Sequence, residues 1–179
     1  MKILVCLSHV PDTTTKVKFV DGKEFDKTGV QWIINPWDEL ALTRALELKE
    51  GSGGKITKVT IVNVGPKETE PTIRKGLAIG ADDAIRINTE AKDAYFVAAQ
   101  LAEVIKNQEY DLVFTGIESS DYNGISVGGM LSEMLDIPSV SAVSGVDFEN
   151  EKFKIKRDID GGYEQIDINT PVLLTVQKG

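Results

Sequence analysis

Apolar positions along the chain fall into two alternating rhythms. Short, almost unbroken apolar runs occur at residues 2–8 (KILVCLS), 56–64 (ITKVTIVNV), 84–88 (AIRIN), 111–115 (DLVFT), 139–143 and 172–176. Such runs predict strands, and their solid apolar character suits a sheet covered on both faces. Between them the apolar residues recur at helical spacing. In residues 36–50 Trp37, Ala41, Ala45 and Leu48, with Leu42 and Leu46, make one stripe. Asn35 is placed to cap this helix through its side-chain oxygen, and Pro36 suits the first helical position, where its missing N–H costs nothing. Further helices are predicted over residues 70–79, ended by Gly80, over residues 93–106, and over the glycine-rich residues 124–135. Residues 17–34 read as a hairpin that runs out from Val17 to Val20, turns at Asp21-Gly22 and returns over Val30 to Ile34. A second hairpin joins residues 152–157 to 163–168. Strand–helix–strand repeats imply right-handed crossovers. The expected fold is therefore an α/β, doubly wound, mostly parallel sheet with antiparallel hairpin additions, forming a single unit over residues 1–179.

Charge and rare residues narrow the chemistry. The 179 residues carry 28 acidic and 20 basic side chains, a formal charge of −8. That balance repels a polyanion and disfavours anionic lipid, so neither nucleic-acid binding nor membrane docking is expected. No apolar run approaches the roughly 20 residues of a bilayer span. Cys6 is the one cysteine and His9 the one histidine. They cannot form a disulfide framework or an all-protein Cys/His zinc site, and they suit a reducing compartment. His9 has only Ser8 nearby as a nucleophile to activate, so it reads as a loop histidine. Cys6, inside an apolar strand, reads as a small buried hydrophobe whose backbone can line a ligand.

In open α/β sheets ligands settle beyond the carboxyl ends of the strands, where strand order reverses. Three segments leave such ends and are polar or glycine-rich: Ser8 to Asp12, Asn63 to Pro66, and Thr115 to Gly129. The third reads T-G-I-E-S-S-D-Y-N-G-I-S-V-G-G. Its Ser119, Ser120, Asp121 and Asn123 can hydrogen-bond locally, and Gly124, Gly128 and Gly129 allow close approach. The helix that follows offers free N–H groups and a positive dipole end to an anion. The segment is neither G-x-G-x-x-G nor a P-loop. Two readings stand side by side: a phosphate site, or a helix capped by Asp121 or Asn123 whose glycines let it pack closely. Trp37, likewise, is either an aromatic wall for a planar ligand or ordinary core.

Longer stretches carry a resemblance. The opening K-I-L-V-C-L-S-H-V-P-D-T, the stretch I-I-N-P-W-D-E-L-A-L, and V-G-P-K-E-T-E-P-T-I-R-K-G-L-A-I-G-A-D-D-A follow one another in family order. So do the loop and helix G-I-E-S-S-D-Y-N-G-I-S-V-G-G-M and the late R-D-I-D-G-G-Y-E. Together they resemble the beta subunit of electron transfer flavoprotein over residues 1–179. The resemblance implies a Rossmann-like fold of the adenine nucleotide alpha hydrolase-like type. It implies a heterodimer with a larger alpha subunit, which holds FAD against this subunit. It implies a buried AMP here, with a second FAD at the same place as the alternative. It implies an electron carrier without catalytic residues of its own, moving electrons from acyl-CoA dehydrogenases to a membrane quinone oxidoreductase, in the cytoplasm or a mitochondrial matrix.

By matching motif, the AMP pocket would take in Cys6, Asn35, Pro36, Trp37, Asp38, Val64 and Gly116, and then Ser119, Ser120, Asp121, Asn123, Gly124, Ile125, Ser126 and Val127. Adenine would lie near Cys6, Val64 and Gly116, and phosphate near Ser126, Val127 and the helix N-terminus. Trp37 and Thr13 match positions near the flavin. Gly124 to Val127 departs from relatives that carry side-chain amides there. The family also continues past Gly179 with an extension bearing the loop that docks on dehydrogenases. The expectation is that residues 1–179 fold alone but do not dock. The competing readings are a stand-alone adenine-nucleotide module and a pyrophosphate-cleaving enzyme. The latter needs a Ser-Gly-Gly-type loop after the first strand, which Ser8-His9-Val10-Pro11 does not supply.

Overall fold

A computed structural model describes residues 1–149 and 152–179. The first apolar run forms β1 (Lys2–Cys6), and its side chains alternate between two cores. Ile3 and Val5 enter one core, and Leu4 and Cys6 the other. A strand buried on both faces must lie inside a sheet with helices above and below.

The remaining elements in chain order are β2 (His9–Pro11), β3 (Phe19–Val20), β4 (Glu24–Phe25), β5 (Trp32–Ile34), α1 (Pro36–Gly51), β6 (Lys58–Val64), α2 (Glu70–Ile79) and β7 (Asp83–Ile87). A short 3₁₀ turn at Lys67–Thr69 leads into α2. Then come α3 (Ala94–Ile105), β8 (Leu112–Gly116), α4 (Val127–Leu135), β9 (Ser139–Glu149), β10 (Lys152–Ile159), β11 (Gly162–Ile168) and β12 (Val172–Val176). The main sheet has the order β11-β10-β9-β12-β8-β1-β6-β7. From β7 to β12 neighbouring strands are parallel; β9 is parallel to β12 and antiparallel to β10. The α/β, mostly parallel architecture with antiparallel additions is the expected one.

Order fixes where a ligand can go. From β1 the chain steps outward to β6 and β7, then returns to β8 on the other side of β1. The direction of winding reverses between β1 and β8, and in doubly wound sheets the ligand crevice belongs at the carboxyl ends of such a pair. Ala41, Leu42, Ala45 and Leu48 of α1 and Ile73 of α2 fill one face. Ala98, Leu101, Ala102 and Ile105 of α3 and Leu131 of α4 fill the other. No helix among the described residues is long and apolar enough to cross a membrane.

Four local expectations need correction. The segment expected to return against Val17–Val20 pairs elsewhere: β5 lies antiparallel to β2, with Ile33 opposite Val10. Ile34 and Val10 are buried there, whereas Val17, Phe19 and Val20 remain exposed, so the core takes the pairing that buries more. The turn at Asp21-Gly22 instead closes the small ribbon of β3 and β4. Helix α4 starts at Val127, not residue 124; residues 124–126 form an exposed lead-in after Asn123, which is left-handed at φ 49°. Strand β9 runs on to Glu149, past the expected 143. Its register against β12 slips by one residue around Ala142, which has φ 56°, and its register against β10 shifts as well at Lys156 and Arg157. Finally, the Asn35 side chain does not cap α1; it is used across the crevice.

Candidate functional site at the β1–β8 crevice

The site is assembled by the first turn of α1. Asn35 and Asp38 are 1% and 4% exposed, which polar side chains tolerate only when their hydrogen bonds are met. Asn35 Nδ2 donates to the Glu118 carbonyl at 2.8 Å, and its Oδ1 accepts from the Ser120 amide at 3.1 Å. The Asn35 amide itself donates to the Ser8 carbonyl at 3.0 Å. Asp38 Oδ2 accepts from the Ser8 amide at 2.7 Å and Oδ1 from the Gly116 amide at 2.9 Å. One carboxylate therefore ties the carboxyl ends of β1 and β8 together across the point where winding reverses.

Burial pushes the Asp38 carboxyl up to about 6, against the pull of the Ser8 and Gly116 amides. The Cys6 thiol beside it is raised far above its ordinary value, first by burial and then by the Asp38 charge. It is therefore a neutral group here, not a nucleophile.

The close approach explains Gly116. A Cβ at this position would come within 2.7 Å of Trp37 Cβ and 3.1 Å of the Asp38 amide nitrogen. Gly128 on α4 is placed in the same way, with Thr115 Oγ1 at 3.0 Å from its notional Cβ. The absence of a side chain lets α4 settle against β8 and β12.

The expected site residues divide into two groups. Cys6, Asn35, Asp38, Gly116 and Ser120 converge on the crevice, through the bonds above and the Cys6–Asp38 charge interaction. Val64, at the end of β6, and Val127, at the start of α4, pack on the same apolar cluster as Cys6. Pro36 takes the first position of α1, and Trp37 is half-buried against Gly116. Ser119 bonds Asp121 side chain to side chain, and its carbonyl accepts from the Asn123 amide at 2.6 Å. Asp121, Asn123, Gly124, Ile125 and Ser126 lie exposed along the rim. Neither Asp121 nor Asn123 caps α4, whose N-cap is Ser126 without a side-chain bond. Thr13 is exposed in the turn after β2. His9 lies away from the crevice in β2. Its ring stacks on Trp32 at 4.5 Å, and its Nδ1 is 2.7 Å from Thr72 Oγ1.

Thr115 lies in the third polar segment of the sequence but outside the set of expected pocket residues. Among the described residues four buried side-chain polar atoms lack a hydrogen-bond partner. Three of them, Asn63 Oδ1, Thr115 Oγ1 and Ser120 Oγ, belong to the carboxyl ends of β6 and β8 and the loop after β8. Unmet buried polar atoms are uncommon and mark places where a further partner belongs. The signal was a lone threonine closing an otherwise apolar strand.

The electron transfer flavoprotein domain matches residues 23–179. The chain belongs to the electron transfer flavoprotein family. It is 39% identical over 181 residues to electron transfer flavoprotein subunit beta of Thermoanaerobacterium thermosaccharolyticum, covering 99% of this chain and 68% of that one. The corresponding Bacillus subtilis subunit is 37% identical, with 100% of this chain and 70% of the relative covered. Subunit CarD of the caffeyl-CoA reductase-Etf complex of Acetobacterium woodii is 36% identical, with 99% and 69% covered. The family's work is electron transfer by a flavoprotein, and a beta-type subunit implies an alpha-type partner.

Proposed function

We propose that the chain is the beta subunit of a heterodimeric electron transfer flavoprotein and that its crevice holds AMP as a structural nucleotide. The observation that carries this reading is the pair of buried, unpartnered hydroxyls, Thr115 Oγ1 and Ser120 Oγ, at the winding reversal. They lie on β8 and on the loop that leads to α4. The residues around them fit the group. Cys6, Val64 and Val127 offer an apolar wall suited to a purine. The first N–H groups of α4 have no partners within the helix and suit a phosphate. No side chain would press on Gly124 or Gly129, so backbone there is open to a ligand.

FAD, held chiefly by the larger subunit, would supply the redox chemistry. This chain would contribute shape and exclusion of water, through Trp37 and Thr13 facing the ring. Electrons would come from acyl-CoA dehydrogenases and pass to a quinone oxidoreductase. The protein itself would make or break no covalent bond, which suits a crevice whose one thiol is held neutral by burial.

The test is the identity of what the native protein carries. Protein purified without added nucleotide is denatured, and the released small molecules are separated and weighed by mass spectrometry. About one AMP per chain supports the reading. FAD in place of AMP moves the chain to the second-flavin type, and no nucleotide at all overturns the crevice assignment.

A further inference from the structure

Two distant parts of the chain meet at the winding reversal, the Gly116–Ser120 segment and the first turn of α1. Asn35 and Asp38 join them. An asparagine before a helix ordinarily spends its side chain on that helix's own amides. Here both ends of the Asn35 amide go to the loop, at Glu118 and Ser120. Asp38 holds the start of the same segment at Gly116 and the end of β1 at Ser8. Ser120, whose hydroxyl is one of the two unpartnered groups, therefore hangs from an anchor set by these two residues.

The two anchors differ chemically. The amide of Asn35 carries no titratable proton of its own, although it also reaches the Asp38 carboxylate. An ionised carboxylate accepts two N–H groups equally well. A neutral carboxyl has one good acceptor oxygen and one O–H, whose proton cannot point at an N–H. Taking up a proton thus loosens one of the two ties.

We propose that Asp38 is a positioning residue: its ionised carboxylate holds the Gly116–Ser120 segment in the shape that receives the nucleotide, so nucleotide is released when the carboxylate takes up a proton. The inference rests on the nucleotide reading above. The carboxyl is poised for such a role because burial holds it at about 6. Few titratable groups surround it. Cys6 on β1 is coupled to it by charge but keeps its proton. Glu39, next on α1, turns to Lys75 at 3.3 Å. His9, one residue past Ser8, is committed to Thr72 and Trp32. Glu118 meets the anchor through its carbonyl.

The experiment uses the full chain in its complex with the larger subunit, with AMP affinity measured between about pH 5 and pH 8. The wild type should weaken about tenfold toward the acid end, the scale of one charge-assisted hydrogen bond. Asp38→Asn should already be weaker at neutral pH and should show no such dependence. A second readout is independent of nucleotide: the amide resonances of Ser8 and Gly116 should titrate together near pH 6 and stop doing so in Asp38→Asn. If Asp38→Asn does not fold, the wild-type profile and its amide titration decide the matter. Flat wild-type affinity with titrating amides overturns the inference and leaves the nucleotide reading intact. Amides that do not titrate overturn the clamp itself. Absence of AMP binding at every pH removes the nucleotide reading and the inference with it.

Discussion

Replacing Gly116 by alanine tests the architecture of the crevice directly. The added methyl group would fall inside contact distance of Asp38 Oδ1, at 2.7 Å from Trp37 Cβ and at 3.1 Å from the Asp38 amide nitrogen. None of these is the free end of a flexible side chain. Trp37 Cβ and the Asp38 nitrogen are fixed to α1, and Oδ1 is held by the Gly116 amide. Relief therefore requires α1 and β8 to part. That movement costs about 1–3 kcal/mol of overpacking. It also stretches the bond from the Gly116 amide to the carboxylate, a charge-assisted contact worth about 1.5–3 kcal/mol. One displacement causes both losses, so they do not simply add, and about 3 kcal/mol is expected. For a chain of this size that lowers the melting temperature by about 6–12 °C. The control is Gly124→Ala, where nothing lies within 4 Å of the new methyl and φ is not positive. Its effect should stay within about 1 kcal/mol, on the stabilising side. Urea unfolding, followed by circular dichroism and tryptophan emission, measures both. A loss under about 1 kcal/mol for Gly116→Ala, or equal losses for both variants, would refute the packing argument.

Three further outcomes follow from the same geometry. Ser120→Ala and Thr115→Val, which keeps the buried methyl, should each leave stability almost unchanged, since neither hydroxyl has a protein partner, while lowering AMP content; equal content in purified wild type and variants would count against the site. Asp38 contributes to stability in the opposite sense to most carboxylates. Its folded-state value of about 6 lies above the ordinary 3.8, so its contribution is full below about pH 3.8 and is lost as pH rises through about 6, where ionisation costs about 3 kcal/mol. His9 runs the other way: burial and then Lys27 lower its value below 6.5, so its contribution is full above that point and is lost as pH falls. In a His9→Gln background, unfolding free energy should therefore rise from about pH 7.5 to 5, and a fall over that range would contradict the assignment. Thr72→Val should detach the His9 ring from α2 and raise the His9 value toward the ordinary one, read by its ring-proton titration; an unchanged midpoint would mean that the Thr72 contact does not help keep His9 buried.

Most of the fold could be read from the chain because the apolar runs are solid and the helical stripes regular. Ile3, Leu4 and Val5 announce a strand buried on both faces, and β1 is one. Asp93 announces a helix start, and its carboxylate does accept from the Phe96 amide at 2.7 Å. Errors arose where tertiary pairing competes with local preference. Val17 to Val20 carries strand-forming side chains and a good turn. Yet β5 pairs with β2, since burial of Val10 and Ile34 outweighs the local choice. The bulge at Ala142 had no local sign, because nothing in Ser-Val-Ser-Ala-Val requires a left-handed residue. The three polar strand ends were legible as a group, since polar residues interrupt apolar runs there. Which atoms they would use was not. Asn35 looked like a cap, and only the return of the 116–120 segment to its side shows that its amide is spent elsewhere. Asp38 is expected in the pocket, and the structure adds that both of its oxygens accept from strand-end amides, those of Ser8 and Gly116.

That inward carboxylate also bears on where an anion can settle. In a doubly wound fold the free amides at the ends of the two central strands form a natural cradle for phosphate. Here the amides of Ser8 and Gly116 are already taken by an internal anion. A phosphate placed at the end of β1 would face the Asp38 charge. At about 5 Å and an effective dielectric near 20, the repulsion is about 3 kcal/mol, enough to shift occupancy by about a hundredfold. The remaining donors are those of α4, beyond a loop that Asn35 and Asp38 hold in place. A nucleotide bound as proposed would thereby be steered to lay its phosphate along the rim and its base inward. Phosphate chemistry of the kind that needs a loop after the first strand is disfavoured by the same charge. On the proposed reading, the buried carboxylate at the winding reversal would favour a nucleotide held as scaffold over one held as substrate.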